Sequence, residues 1–135
     1  MARATWQLVQ GRPVIRISLV SPDNGSQAVR TLLADTGAGS ARGALELILS
    51  EADCRRFSAG NVGTRRLGGA FTGDFPAHWV YTSIPDLGFT ELCFAVAVPS
   101  SQMPRPLQGI ACFRFLNRFS YGNFGDPDQF GLEAQ

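Results

Sequence analysis

Short stretches in which apolar and polar residues alternate recur along the chain, a pattern typical of half-buried β-strands. In the clearest of them, Pro13–Val20, every second residue from Ile15 to Leu19 is apolar. The turn-forming pair Asn24-Gly25 follows and predicts a hairpin with the next stretch. Strands are predicted at Thr5–Gln10, Pro13–Val20, Gln27–Ala34, Ala77–Ile84, Phe89–Val98 and Phe119–Phe124.

Only one segment has apolar residues at the spacing of a longer amphipathic helix. This segment is Gly43–Cys54, and Ser40 precedes it as a candidate cap. A second, shorter helix is predicted at Ala111–Arg118. The apolar stripe of the first helix consists of Leu45, Ile48, Leu49 and Ala52, at positions i, i+3, i+4 and i+7.

The remaining segments are rich in glycine and proline and predict turns or loops. Residues 57–74 contain Leu67-Gly68-Gly69-Ala70-Phe71 and predict a hairpin with a mobile tip. Prolines in Pro99–Pro106 predict a loop there, and Gly125–Gln135 is expected to be a tail without regular structure. The pattern as a whole predicts a mostly β protein.

Length and composition fit a single globular domain spanning residues 1–135. The chain has 135 residues, of which 44% are hydrophobic and 17% charged, so it is long enough to bury one core. A formal net charge of +1 excludes a nucleic-acid-binding protein that works by bulk charge. No apolar run approaches the ~18 residues of a membrane helix, and no signal peptide is expected because the N-terminal residues lack an apolar segment.

The cysteines and the histidine argue against a metal site. Cys54, Cys93 and Cys112 are widely spaced and His78 is the only histidine, whereas a structural zinc site needs about four such ligands. Free thiols in a reducing, cytoplasmic location are therefore expected, with no metal and no other cofactor.

Asp35-Thr36-Gly37 is the segment that most clearly suggests chemistry. It follows an apolar strand and precedes a turn of small residues. In this context the sequence resembles the retropepsin family, which comprises the retroviral aspartic proteases and their cellular single-domain relatives. The other resembling segments are, in order, an opening strand at 11–17, a glycine-rich flap around Gly68-Gly69, a wall loop at 104–109 and a C-terminal helix at 111–118.

The resemblance implies a small, closed, barrel-like β fold with an extra helix after the Asp-Thr-Gly loop and a short C-terminal helix. It also implies an aspartic endopeptidase, which hydrolyses a peptide bond with a water held between two carboxylates about 3 Å apart that share one proton. The chain contains a single Asp-Thr-Gly segment. The second carboxylate would therefore be Asp35 of another copy, which implies a homodimer.

The resemblance further implies roles for the residues around Asp35. The Thr36 hydroxyl would hold the two loops together across the two-fold axis, and Gly37 would let the loop turn tightly. An extended peptide or protein substrate would lie under the flap and pair through main-chain hydrogen bonds. The residues expected to contact this substrate are Ala38, Gly39, Gly68, Gly69, Ala70, Phe71, Arg105 and Leu107, and Gly109 is expected to be a structural glycine.

Two positions depart from the retroviral pattern. Gly39 stands where those enzymes have an acidic residue, and Ile110 stands where they have the arginine that pairs with it. Because both members of this ion pair are absent together, neither is left unpaired, but the dimer must be held differently. The departures favour a cellular relative over a viral enzyme.

Two alternative functions stay open. The same fold could serve as a non-catalytic dimerisation or peptide-binding module. Asp35 could also pair with Asp74, Asp86 or Glu91 within one chain, as a metal-free acid–base hydrolase. If Asp35 lies far from each of these carboxylates within the chain, the hypothesis of a pair within one chain fails and the site shared by two copies is favoured.

Overall fold

The computed structural model describes residues 1–135. Strands make up 53% of the chain and helices 13%, which confirms the mostly β class. The strands are β1 (Arg3–Gln7), β2 (Val14–Val20), β3 (Gln27–Ala34), β4 (Leu47–Ser50), β5 (Ser58–Leu67), β6 (Gly73–Ile84), β7 (Phe89–Val98), β8 (Gly109–Ala111), β9 (Phe119–Gly122) and β10 (Gln129–Ala134). The helices are α1 (Glu51–Phe57) and α2 (Phe113–Leu116), and neither has the length or apolar character needed to cross a bilayer.

Six of the strands close into a barrel, as expected. Their order is β2-β3-β8-β4-β7-β6, and the barrel closes because β6 also pairs with β2. The pairs β3–β8 and β4–β7 are parallel, and the other neighbours are antiparallel. Strand β5 lies outside the ring and pairs only with β6, so these two strands form a long hairpin at the side of the barrel.

Two hydrophobic clusters lie on opposite faces of the barrel strands. The larger cluster has members on all six barrel strands and fills the barrel interior. The smaller cluster joins Ile48, Ile110 and Phe71 on the outer face, next to the β5–β6 hairpin. Strand β7 contributes to both because alternate residues of a strand face opposite sides. Its members are Cys93, Ala95 and Ala97 in the larger cluster and Phe94, Val96 and Val98 in the smaller one.

The helix predicted at Gly43–Cys54 is wrong in its first half. Residues Leu47–Leu49 belong to β4, which lies between β7 and β8, and α1 begins only after Ser50. A strand buried on both faces is a continuous apolar run, and over a few residues such a run also fits one side of a helix. Ser50 rather than Ser40 caps the helix, since its Oγ accepts the backbone N–H of Asp53 at 3.1 Å.

The tail expected at Gly125–Gln135 is also wrong. This segment contains β10, the middle strand of a three-stranded sheet in the order β1-β10-β9. Leu132 on β10 is fully buried. A Cβ at Gly131 would lie 2.8 Å from the carbonyl oxygen of Ala4, so the close packing of β1 against β10 requires a glycine in mid-strand. Glycine is depleted in strands, so Gly131 weakens the signal of a strand even though Phe130, Leu132 and Ala134 alternate with other residues.

The hairpin predicted between the second and third strands is confirmed. Strands β2 and β3 pair up to Val20 and Gln27. Between them Gly25 adopts a φ of +72°, which favours glycine, and the backbone N–H of Ser26 donates to Asn24 Oδ1 at 2.9 Å. Asn24 and Gly25, the residues that predict a turn in the sequence, therefore form the turn in the structure.

Candidate functional site

Asp35 lies directly after β3, where the chain leaves the barrel. Its backbone N–H donates to the carbonyl of Ala111 on β8 at 3.0 Å, and its own carbonyl accepts the N–H of Ala38 at 3.2 Å. The N–H of Gly37 donates to Asp35 Oδ1 at 2.9 Å. The loop backbone thus orients the carboxylate, and the side chain remains partly exposed.

Small residues keep this loop tight. A Cβ at Gly37 would lie 3.3 Å from Asp35 Oδ1, and Gly39 adopts a φ of +69° that side-chain-bearing residues rarely adopt. The neighbouring Thr36 is exposed to solvent. The compact loop lines a cleft through Asp35 and the small residues after it, whereas Thr36 does not line that cleft.

A cleft of about 640 Å³ lies over Asp35. Its volume is in the range typical of sites for small molecules and peptide side chains. One side is the Asp-Thr-Gly loop, and the tip of the β5–β6 hairpin forms another. The residues predicted from the sequence that line this cleft are Asp35, Gly37, Ala38, Gly39, Gly68, Gly69, Ala70 and Phe71.

The apolar wall of the cleft was not predicted from the sequence. Leu33 on β3, Ile48 on β4 and Ile110 on β8 converge here because β8 pairs with both β3 and β4. The only available signal was apolar alternation, which shows that a residue is buried but not which strands meet. Leu45 and Gln102 also line the cleft and were not predicted, whereas Arg66, Leu67 and Pro104 belong to the predicted flap and wall loop but were not assigned to the substrate site.

Arg105 and Leu107 do not line the cleft over Asp35. They line a separate cavity together with Arg30. The wall loop reaches the cleft through Pro104 instead, and Gln102, just before the loop, lines it as well. The loop assigned from the sequence thus borders the site, but with residues a few positions earlier.

Gly109 lies at the start of β8 and is buried. A Cβ at this position would lie 2.6 Å from the carbonyl oxygen of Ile48 and 2.8 Å from Leu32 Cδ2. The neighbouring strands therefore leave no room for a side chain, which gives the predicted structural glycine a physical reason.

Cys112 lies close to the Asp35 loop and is fully buried. Burial, together with the nearby carboxylates of Asp35 and Glu46, raises the pKa of its thiol to about 12. The thiol is therefore protonated at neutral pH and is no nucleophile. Cys54 and Cys93 are buried and free as well, and burial raises the pKa of both to about 12.

Asp35 is the only carboxylate that lines the cleft. Asp74 on β6 lies across the hairpin from Arg66, at 3.5 Å between Oδ2 and Nη2. Asp86 lines a different cavity, and Glu91 is exposed on β7. None of the three candidate partners within the chain is brought into the cleft. No group of three or more histidine, cysteine, aspartate or glutamate side chains is arranged to hold a metal ion.

Comparison of the sequence with models of known protein families and with curated proteins finds no match. The Asp35 loop, the cleft and the hairpin are therefore the features that indicate a function.

Proposed function

We propose that the protein is an aspartic endopeptidase of the retropepsin type that is active as a homodimer. One observation carries the proposal: a single carboxylate, Asp35, lines a cleft of peptide size between a strand end and a glycine-rich hairpin. Hydrolysis by this route needs a second carboxylate beside the first. A two-fold dimer supplies it as Asp35 of the other copy, with the two clefts joined across the axis.

In the proposed mechanism the two Asp35 carboxylates share one proton, because like charges at such short distance cannot both ionise cheaply. The ionised carboxylate removes a proton from water as the water oxygen attacks the carbonyl carbon of the peptide bond. The protonated carboxylic acid donates to the carbonyl oxygen. The proton taken from water then goes to the amide nitrogen as the C–N bond breaks, and one hydroxyl of the tetrahedral intermediate returns its proton to the other carboxylate. The products are a free carboxyl and a free amine, and the pair of carboxylates again shares one proton.

The surroundings of Asp35 support this role. The hydrogen bond from Gly37 N–H to Oδ1, 2.9 Å long, fixes the orientation of the carboxylate. Thr36 is exposed, so a second copy of the chain can contact it. The hairpin tip at Gly68-Gly69 is also exposed, and Gly69 has a φ of +65°, so the tip forms a tight glycine turn over the cleft.

The proposal is tested by replacing Asp35 with asparagine, which has nearly the same shape but cannot act as a base. We expect Asp35→Asn to lose peptide cleavage by at least about a hundredfold while its circular dichroism spectrum and its dimer mass are kept. Cleavage of a mixed peptide library is followed by mass spectrometry. The matched controls Asp74→Asn and Asp86→Asn remove carboxylates outside the cleft and should keep wild-type rates.

Three outcomes would contradict the proposal. Cleavage by Asp35→Asn at the wild-type rate would remove Asp35 from the mechanism. Loss of activity in Asp74→Asn equal to that in Asp35→Asn would favour a carboxylate pair within one chain. A wild-type dimer that binds peptides but cleaves none between about pH 3 and 8 would indicate the non-catalytic peptide-binding module.

A further inference from the structure

A second, smaller pocket of about 200 Å³ continues from the cleft along the β5–β6 hairpin. The cleft and the smaller pocket share Gly39, Leu45, Arg66 and Leu67 as lining residues. An extended chain that lies over Asp35 can therefore place one of its side chains in the smaller pocket. The side chain of the bound chain that enters the smaller pocket would contact lining residues other than Asp35.

Arg65 contributes a positive charge to the lining of the smaller pocket. Its guanidinium lies over the ring of Phe94, 5.0 Å from the ring centroid, and Nη1 donates to the carbonyl of Thr64 at 2.8 Å. None of the ion pairs in the chain includes Arg65. The guanidinium is thus held in place with N–H donors left over, and these donors match the geometry of a carboxylate.

Arg66 extends the positive charge into the cleft, since it lines both spaces. Its one carboxylate neighbour is Asp74 at 3.5 Å, and the two side chains are 77% and 57% exposed. An exposed pair with this geometry contributes little, so Arg66 is available to a ligand. Apart from Asp35, no acidic residue lines the cleft or the smaller pocket.

We propose that the peptides preferred by this site carry an acidic side chain, Asp or Glu, in the smaller pocket, where Arg65 and Arg66 bind it. The preference for cleaved peptides depends on the proposed function, whereas the preference for bound peptides does not. In a two-fold dimer the smaller pocket occurs twice. Acidic side chains are therefore preferred at one position on each side of the scissile bond, the same number of residues away.

The first test is a set of peptides in which each position around the scissile bond carries Glu or Gln in turn. Wild-type protein should show a kcat/KM about three- to fivefold higher for Glu at one position on each side, and the ratio should fall as salt is added. Arg65→Gln should lose most of this ratio. Arg55→Gln, which removes an exposed arginine of α1 outside both spaces, should keep it.

Charge reversal makes the test sharper. Arg65→Glu should prefer Lys over Glu at the same positions, which neither a folding defect nor a general loss of activity would produce. Cleavage by wild-type protein with no preference between Glu and Gln would overturn the inference and leave the proposed function intact. A Glu preference that Arg65→Gln and Arg66→Gln both retain would overturn it as well.

A binding measurement separates the inference from catalysis. Fluorescence anisotropy with labelled Glu and Gln peptides on Asp35→Asn protein requires no cleavage. Tighter binding of the Glu peptide, lost in Asp35→Asn/Arg65→Gln, would support the inference even if wild-type protein cleaved nothing and the proposed function failed. Equal binding of the two peptides would overturn the inference.

Discussion

The guanidinium of Arg118 and the carboxylate of Glu46 form an ion pair close to the loop that carries Asp35. Arg118 Nε and Nη2 lie 2.7 and 2.6 Å from Glu46 Oε2, and the Glu46 side chain is only 4% exposed. The other oxygen of Glu46 accepts the backbone N–H of Phe94 on β7. The backbone carbonyl of Glu46 accepts the N–H of Cys112. Glu46 therefore connects Phe94 on β7 with Cys112, just before α2, and with Arg118, just after α2.

Removal of the Arg118 side chain leaves the buried Glu46 carboxylate without its charged partner. We expect Arg118→Ala to lower the free energy of unfolding by about 3 kcal/mol, because a buried charge is costly when unpaired. The measurement is urea denaturation followed by circular dichroism. The control Arg3→Ala breaks the pair with Glu133, in which the arginine side chain is 46% exposed, and should cost less than about 1 kcal/mol.

A double variant distinguishes charge from lost packing at the same site. In Glu46→Gln/Arg118→Ala the buried group is a neutral amide, so part of the stability lost in Arg118→Ala should return. Equal free energies of unfolding for Arg118→Ala and Arg3→Ala would contradict the prediction that Arg118 stabilises the buried Glu46 carboxylate.

Gly109 should tolerate no side chain. In Gly109→Ala the new Cβ would meet the carbonyl oxygen of Ile48 at 2.6 Å, so the strands must move apart. We expect a loss of about 2 kcal/mol in the free energy of unfolding, typical of overpacking in a core. Gly60→Ala is the matched control, because nothing lies within 4 Å of a Cβ at Gly60 in β5. Equal stability of the two variants would contradict the close packing at β8.

The proposed sharing of one site between two chains predicts how activity responds to mixing. When wild-type and Asp35→Asn chains exchange freely at a one-to-one ratio, about a quarter of the dimers carry two Asp35 residues. Activity per wild-type chain should therefore fall by about half on mixing, and specific activity should also fall on dilution as dimers dissociate. A mixture in which each wild-type chain keeps its full rate would show that one chain contains the complete site.

His78 makes the β5–β6 hairpin sensitive to acid. Its Nδ1 lies 2.9 Å from the Oγ of Ser58, and burial lowers the pKa of His78 below the ordinary value of 6.5. The unfolded chain then binds the proton more readily than the folded chain. The contribution to stability is complete above about pH 6.5 and is lost as the pH falls below it.

The matched variant for this prediction is His78→Gln, which keeps a polar side chain but does not titrate. Urea midpoints at about pH 7.5 and pH 5.5 should differ more for wild-type protein than for His78→Gln. The same acid sensitivity in both proteins would assign it to other groups.

Regular alternation and turn chemistry made much of the barrel predictable. The β2–β3 hairpin follows from alternate apolar residues and Asn24-Gly25, and the strand predicted at Phe89–Val98 has the same bounds as β7. Strand β4 could not be recognised because Leu47–Leu49 has no two-residue period. Strand β10 was missed because close packing against β1 requires a glycine in mid-strand, a residue that is depleted in strands and common in turns.

The candidate site was predictable only where it is contiguous in the sequence. Asp35 and the small residues after it form one loop, and Gly68-Gly69 form one hairpin tip, so local sequence was sufficient. The apolar wall depends on register instead, since Ile110 on β8 lies opposite Leu33 in one pairing and Ile48 in another. Such pairings join residues far apart in the chain, and no local pattern encodes them.

The alternation of β7 has a practical consequence for directed evolution. Substitutions at Cys93, Ala95 and Ala97 alter the barrel interior, whereas Phe94 and Val96 border the smaller pocket beside Arg65. A combinatorial library restricted to Phe94 and Val96 would therefore reshape the proposed pocket without changing the barrel interior, and because both side chains are buried in the smaller cluster its substitutions should conserve volume. The strand order places these positions on a strand that is paired on both sides, by β4 and β6, so new specificities need not be built on loops.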